Sequence, residues 1–158
     1  VYKKGLAKDG TAGCLLYGYG SYGATIPMAY SPTRVSLLDR GVVYAHAHVR
    51  GGSDLGRTWY DAGKMRSKRN TFSDFAACAD FLVANKYCKR ERLALQGGSA
   101  GGLLVGATLN LNPKVCGIAV LDVPFVDVVN TMLDETLPLT TQEFQQWGNP
   151  KQSADYAY

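Results

Sequence analysis

The hexapeptide Gly97-Gly98-Ser99-Ala100-Gly101-Gly102 constrains this chain more than any other part of its 158 residues. It contains the spacing G-x-S-x-G with Ser99 at the centre, and it lies between two segments of different character. Before it, Leu93-Ala94-Leu95-Gln96 is a short apolar run of strand type. After it, Gly102 to Leu111 reads as a helix stopped by Asn112-Pro113. A strand that turns directly into a helix around a serine needs small neighbours, because the backbone passes close to adjacent elements. The helix N-terminus beneath the serine favours negative charge at a reacting centre. Ser99 is therefore a candidate nucleophile. The competing reading is a glycine-rich strand–helix turn with an incidental serine.

The same alternation runs along the rest of the chain. Cys14-Leu15-Leu16-Tyr17 is an apolar run that ends in the glycine loop Gly18-Tyr19-Gly20-Ser21-Tyr22-Gly23. Val42 to Val49 is a β-branched strand pattern bounded by Gly41 and Gly51-Gly52, and Ile118 to Leu121 is a fourth strand. Between them, Ser31–Asp39 reads as a helix after Pro32. Phe72, Phe75, Ala76, Ala79, Leu82 and Val83 recur at helical spacing, with Thr71 as expected N-cap and Asp74 three residues on. Beyond Asp122 the pattern predicts loops with short helices and a turn at Trp147-Gly148-Asn149-Pro150. Strands alternating with helices predict βαβ units, hence an α/β fold with a mostly parallel sheet covered by helices on both faces.

Composition narrows the function classes. An apolar fraction of 46% and a charged fraction of 19% belong to a chain with a core. The net charge of +4 is mild, and the basic cluster Arg57, Lys64, Arg66, Lys68 and Arg69 lacks a phosphate loop or recognition-helix pattern. It is expected to be a solvated or interdomain face, not a nucleic-acid patch, with Trp59 and Tyr60 packing beside it. The cysteines at 14, 78, 88 and 116 show no CxxC spacing and are expected to be reduced core thiols. No apolar run reaches the ~18 residues of a membrane span, and no signal-peptide core follows the start. The chain begins at Val1 and stops at Tyr158 without a terminal element, so it is expected to be an internal piece of a longer protein.

Six segments carry a resemblance, in this order: Tyr17–Gly23, His48–Arg57, Lys68–Phe75, Gly98–Leu104, Val123–Val129 and Trp147–Pro150. Together they resemble the catalytic domain of the prolyl oligopeptidase family of serine peptidases, in its oligopeptidase B branch. The resemblance implies an α/β-hydrolase fold for residues 1–158, truncated before its C-terminal strands. An N-terminal β-propeller and the C-terminal part of the catalytic domain would lie outside this chain. It implies acyl-enzyme hydrolysis of short peptides after Arg or Lys, in the cytoplasm, with no cofactor, no metal and no nucleic-acid or membrane partner. Residue by residue, Ser99 matches the nucleophile. The Ala100 amide and the Tyr19 phenol match the oxyanion donors. Glu143 matches the carboxylate that receives the basic P1 side chain, and Phe125 matches an aromatic wall of that pocket. A carboxylate facing a guanidinium is apt chemistry for such selection.

This sequence also departs from that pattern. Gln145 and Gln146 stand where acids are expected, and Pro27 and Ala29 replace two aspartates that favour a basic P2 residue in bacterial members. A weaker dibasic preference is therefore expected. A serine nucleophile needs a histidine base oriented by a carboxylate, and in this fold both follow the serine. No histidine follows Ser99. His46 and His48 precede it in a predicted strand and are read as neither base nor metal pair, and Asp122 and Asp127 as strand-end or loop acids. The isolated chain is expected to be inactive. The alternatives are a prolyl oligopeptidase or acylaminoacyl-peptidase sibling, against which Glu143 and Trp147–Pro150 argue, and a noncatalytic hydrolase-like binding protein.

Overall fold

The computed structural model describes residues 1–158. Four strands, β1 (Cys14–Gly18), β2 (Val43–Ala47), β3 (Leu93–Gly98) and β4 (Ile118–Asp122), form one all-parallel sheet in the order β2-β1-β3-β4. Helices α1 (Pro32–Asp39), α2 (Arg57–Asp61), α3 (Arg69–Ala84) and α4 (Ala100–Leu111) lie in the connections. The short helices α5 (Val128–Leu133), α6 (Thr140–Trp147) and α7 (Ser153–Ala157) follow β4.

The strand order fixes where the helices go. From β1 the chain steps outward to β2, then crosses back over β1 to β3 and continues to β4. Right-handed crossovers put α1 on one face and α3 and α4 together on the other. Cys14, Leu16, Val43, Leu93 and Leu95 point into the second face and close a core with Phe75, Ala79, Leu104 and Val105. Phe75 is fully buried. Gly18 lets α3 and α4 approach: a Cβ there would stand 2.6 Å from the Phe75 ring and 2.8 Å from Leu104. On the opposite face the Arg34 guanidinium of α1 lies 5.4 Å from the Tyr44 ring centroid.

The elements differ from the sequence pattern in four instructive places. Helix α3 begins at Arg69, and Thr71 is not its N-cap. Both predicted capping groups are taken by tertiary partners: the Thr71 hydroxyl donates to Gly63 O, and the Asp74 carboxylate receives the Arg50 guanidinium. Helix α4 begins at Ala100 rather than Gly102, and β2 stops at Ala47, leaving His48 in the following loop. Strand β4, apolar in sequence, is largely exposed, with Ile118 at 54%. It is an outer strand with no helix on its α1-side face. Cys14 and Cys88 are core thiols, while Cys78 and Cys116 are half-buried, and all four are free. Burial pushes the Cys14 thiol up to about 12, with Cys88 adding to the shift.

Candidate active site

Ser99 occupies the junction of β3 and α4 with φ 53° and ψ −117°. A serine held at positive φ stores roughly 1–3 kcal/mol of backbone strain, which the surrounding bonds must over-determine. They do. Ser99 N–H donates to Asp122 O at 2.9 Å, and Ser99 O accepts from Gly102 N at 2.9 Å and Phe125 N at 3.0 Å. The flanking glycines are dictated by space: a Cβ on Gly97 would stand 2.1 Å from Gly101 O, and one on Gly101 would stand 2.7 Å from Gly18 O. The serine is exposed at the carboxyl end of the sheet, where ligands of parallel α/β sheets bind. Ala100 is the first residue of α4, so its N–H is among the amides at the helix start without an intrahelical partner.

The loop after β1 reaches the elbow because β1 is the neighbour of β3. The Tyr19 ring lies beside Gly101, 3.3 Å from where a Cβ would stand. Burial, with smaller contributions from Tyr17 and Glu143, raises the Tyr19 phenol above its ordinary pKa, so at neutral pH it is a hydrogen-bond donor. The loop is tied down at several points. Gly23 N–H donates to Gly51 O at 2.9 Å, Ser53 Oγ donates to Gly23 O at 2.5 Å, and Lys68 Nζ donates to Gly20 O at 2.5 Å and Ser21 Oγ at 2.7 Å. Beneath it, Arg50 is clamped to Asp74 of α3 through its backbone N–H and its guanidinium.

A carboxylate and an aromatic wall adjoin the elbow. Phe125, whose amide is bonded to Ser99 O, packs its ring 5.3 Å from the Trp147 centroid. Trp147 Nε1 donates to Glu143 Oε2 at 2.9 Å, one helical turn back on α6, and the Tyr22 hydroxyl donates to the same oxygen at 3.2 Å. Tyr22 meets Trp147 edge-on at 5.7 Å and Tyr19 at 6.3 Å, and stands at φ 59°. Burial raises the Tyr22 phenol; Trp147 opposes the shift and Glu143 adds to it. The fold thus gathers all five residues singled out in the sequence, Ser99, Ala100, Tyr19, Phe125 and Glu143, around one end of the sheet. Neither bond to Glu143 involves Oε1.

His46 and His48 belong to the β2 side, and β1 separates β2 from β3, so they lie roughly 10 Å or more from the elbow. His48 Nδ1 is paired with Asp54 at 2.7 Å. Both His46 ring nitrogens are buried without partners, and burial lowers that imidazole's pKa. Asp122 accepts from Gln96 at 2.9 Å, and Asp127 caps α5 by accepting from Asn130 N–H. Gln145 is exposed, whereas Gln146 is buried and accepts from the Tyr60 hydroxyl at 3.0 Å. Pro27 and Ala29 lie in an exposed stretch ahead of α1.

One member of the basic cluster, Lys68, does not belong to a solvated face. Arg57 and Lys64 pair with Asp61, and Arg66 pairs with Asp155, as a solvated face requires. Lys68, however, is only 5% exposed, because the Gly20–Ser21 turn closes over it. Its ammonium lies 5.2 Å from the Trp147 centroid, and desolvation lowers its pKa to about 7. No sequence signal separated it from its charged neighbours. Tyr22 and Trp147 sit inside the segments that carried the resemblance, which was the only available pointer to them. A separate cavity of about 360 Å³, lined by Phe72, Leu103, Leu111 and Met132, reaches Trp147 and Lys68 but includes neither Ser99 nor Glu143.

Comparison with known proteins bears on the family and the fold. Residues 28–158 match the model of the prolyl oligopeptidase family. Dipeptidyl aminopeptidase BI of Pseudoxanthomonas mexicana is 55% identical over the whole chain, which covers 22% of that protein. Protease 2 of Moraxella lacunata is 50% identical over the whole chain, covering 23% of that protein. Among solved structures, oligopeptidase B from Leishmania major superposes over 99% of the chain with a TM-score of 0.95 at 50% identity, again covering 22% of its length. The chain therefore spans less than a quarter of the length of these relatives. With a parallel sheet, a serine at a strained strand–helix turn and a family match over most of its length, this chain belongs to the prolyl oligopeptidase family of serine peptidases.

Proposed function

We propose that this chain is the nucleophile-bearing part of an endopeptidase of oligopeptidase B type, one that cuts short peptides after Arg or Lys. The observation that carries the proposal is the continuous contact from the elbow to a carboxylate: Ser99 to Phe125, Phe125 to Trp147, Trp147 to Glu143. In this reading the P1 side chain lies along the aromatic wall and its cation meets Glu143. The scissile carbonyl is thereby placed over Ser99 Oγ. Attack by Oγ gives a tetrahedral intermediate whose oxyanion accepts hydrogen bonds from the Ala100 amide and the Tyr19 phenol. Each such donor is worth roughly 2.7–4 kcal/mol in the transition state. Expulsion of the amine leaves Ser99 acylated, and water then releases the peptide. The general base and its orienting carboxylate come from parts of the enzyme outside these residues, so the isolated chain turns substrate over negligibly. We assign the enzyme to the cytosol, with its thiols reduced.

The name of the 55%-identical relative favours a second reading, in which dipeptides are released from free N-termini. Full-length enzyme assayed on an N-blocked arginyl reporter, a free-amine dipeptidyl-arginyl reporter and an N-blocked prolyl reporter separates these. Cleavage of the blocked arginyl substrate at least tenfold better than the prolyl one supports the proposal. Activity confined to the free-amine substrate selects the second reading, and a preference for proline rejects both.

A further inference from the structure

Lys68 is the one buried lysine of this site, and the acyl-transfer chemistry gives it no role. Its side chain is 5% exposed and forms no ion pair. It stands immediately before α3, on the stiff start of a 16-residue helix. Its amine donates to Gly20 O at 2.5 Å and Ser21 Oγ at 2.7 Å, both in the loop that begins with Tyr19. Ser21 is fully buried, so water cannot replace the lost donor at that hydroxyl. On its other side the same amine faces the Trp147 ring. We infer that Lys68 is a positioning residue, fixing the Tyr19 loop at the elbow and holding it against the Trp147–Glu143 wall.

The inference rests on the reading of Tyr19 as an oxyanion donor. Gly20 directly follows Tyr19, so holding its carbonyl fixes the peptide next to the one that carries the phenol. A lysine suits this position because its flexible stem reaches under the turn and its compact amine offers convergent donors. Even as a neutral amine it keeps two N–H donors for its two acceptors. Without the amine, the loop loses two of its anchors and a buried carbonyl and hydroxyl are left unpaired. A displacement of about 1 Å at a catalytic group is enough to cost about a hundredfold in rate. The aromatic wall has other supports, since Trp147 is also held by Glu143, Tyr22 and Phe125. The loss should therefore fall on kcat, with KM moving little.

The test is a double-mutant cycle in the full-length enzyme, read as kcat and KM on an arginyl reporter peptide. Tyr19→Phe is expected to lower kcat by about a hundredfold. Lys68→Met is expected to lower kcat by at least about tenfold with KM within about threefold, and to add less than about threefold on the Tyr19→Phe background. Ser21→Ala, a milder change that keeps the amine, covers the case in which Lys68→Met does not fold. It is expected to lower kcat about threefold to tenfold, and this loss should also vanish when Tyr19 is Phe. Losses that multiply fully in the double variants, or a wild-type kcat in the Lys68 and Ser21 variants beside an impaired Tyr19→Phe, overturn the inference alone. A wild-type kcat for Tyr19→Phe overturns the reading on which it rests.

Discussion

Gly97 and Gly98 are adjacent in sequence and chemically identical, yet the structure gives them opposite tolerances. A Cβ on Gly97 would stand 2.1 Å from Gly101 O and 2.5 Å from Gly101 C, both backbone atoms of the first turn of α4. Carbon and oxygen need at least ~3 Å, so the end of β3 and the start of α4 must part by about 1 Å. Overpacking of this kind costs about 1–3 kcal/mol of stability. Because the two parted segments are the two sides of the elbow, Ser99 and the Ala100 amide move with them, and about a hundredfold loss in kcat is expected. A Cβ on Gly98 meets nothing closer than Asp122 at 3.7 Å, ordinary van der Waals contact, and Gly98 is not at positive φ. Gly98→Ala should keep kcat within about threefold and the melting temperature within about 2 °C. The assay is steady-state hydrolysis of an arginyl reporter by full-length enzyme, with thermal unfolding of each variant alongside. Equal losses in both variants, or a fully active Gly97→Ala, would refute the argument that close packing of Gly97 on Gly101 sets the elbow.

Three further outcomes follow from other parts of the molecule. Glu143→Gln keeps the shape of the side chain and an acceptor for Tyr22 and Trp147 but removes the charge, so kcat/KM for an arginyl substrate should fall about 10²- to 10³-fold while that for an uncharged P1 residue changes less than about threefold; equal losses on both would sink the assignment. Phe75→Ala should destabilise by about 3–5 kcal/mol in denaturant titrations, because the ring is fully buried between α3, β1 and α4, and a loss under 1 kcal/mol would contradict that packing. Lys68 titrates at about 7 when folded and near 10.5 when unfolded, so the unfolded chain binds more protons between those values. Stability relative to Lys68→Met should therefore rise with pH from about 7 to about 10, and a constant difference in melting temperature across that window would show that the amine is not desolvated.

What the sequence revealed about the fold divides along a physical line. The four strands and the crossover helices were legible because each strand is a short apolar run, and the first three lead into glycines that the turns require. The direction of the chain at Ser99 was legible for the same reason. Element boundaries were less so where side chains serve distant partners. Thr71 and Asp74 have the spacing of a helix cap, but Gly63 and Arg50 recruit them, and the helix starts three residues earlier, with Lys68 in place of Thr71 at the cap position. Strand β4 looked buried because apolar residues alternate poorly with polar ones there, yet its burial depends on what covers the sheet. The five candidate site residues came from motif resemblance, not from periodicity. Lys68 opens one of the resembling segments, Lys68–Phe75, but a lysine among Arg66, Arg69 and Lys64 carries no mark of burial until the Gly20–Ser21 turn is placed above it.

A serine activated as a nucleophile within the whole enzyme is captured covalently by reagents that inert serines ignore, and Ser99 should behave in this way. Full-length protein treated with a fluorophosphonate and digested for peptide mass mapping should carry one adduct, on the peptide containing Ser99, and Ser99→Ala should carry none. Labelling that persists in Ser99→Ala, or that maps to a different residue while Ser99 remains unmodified, would contradict the account.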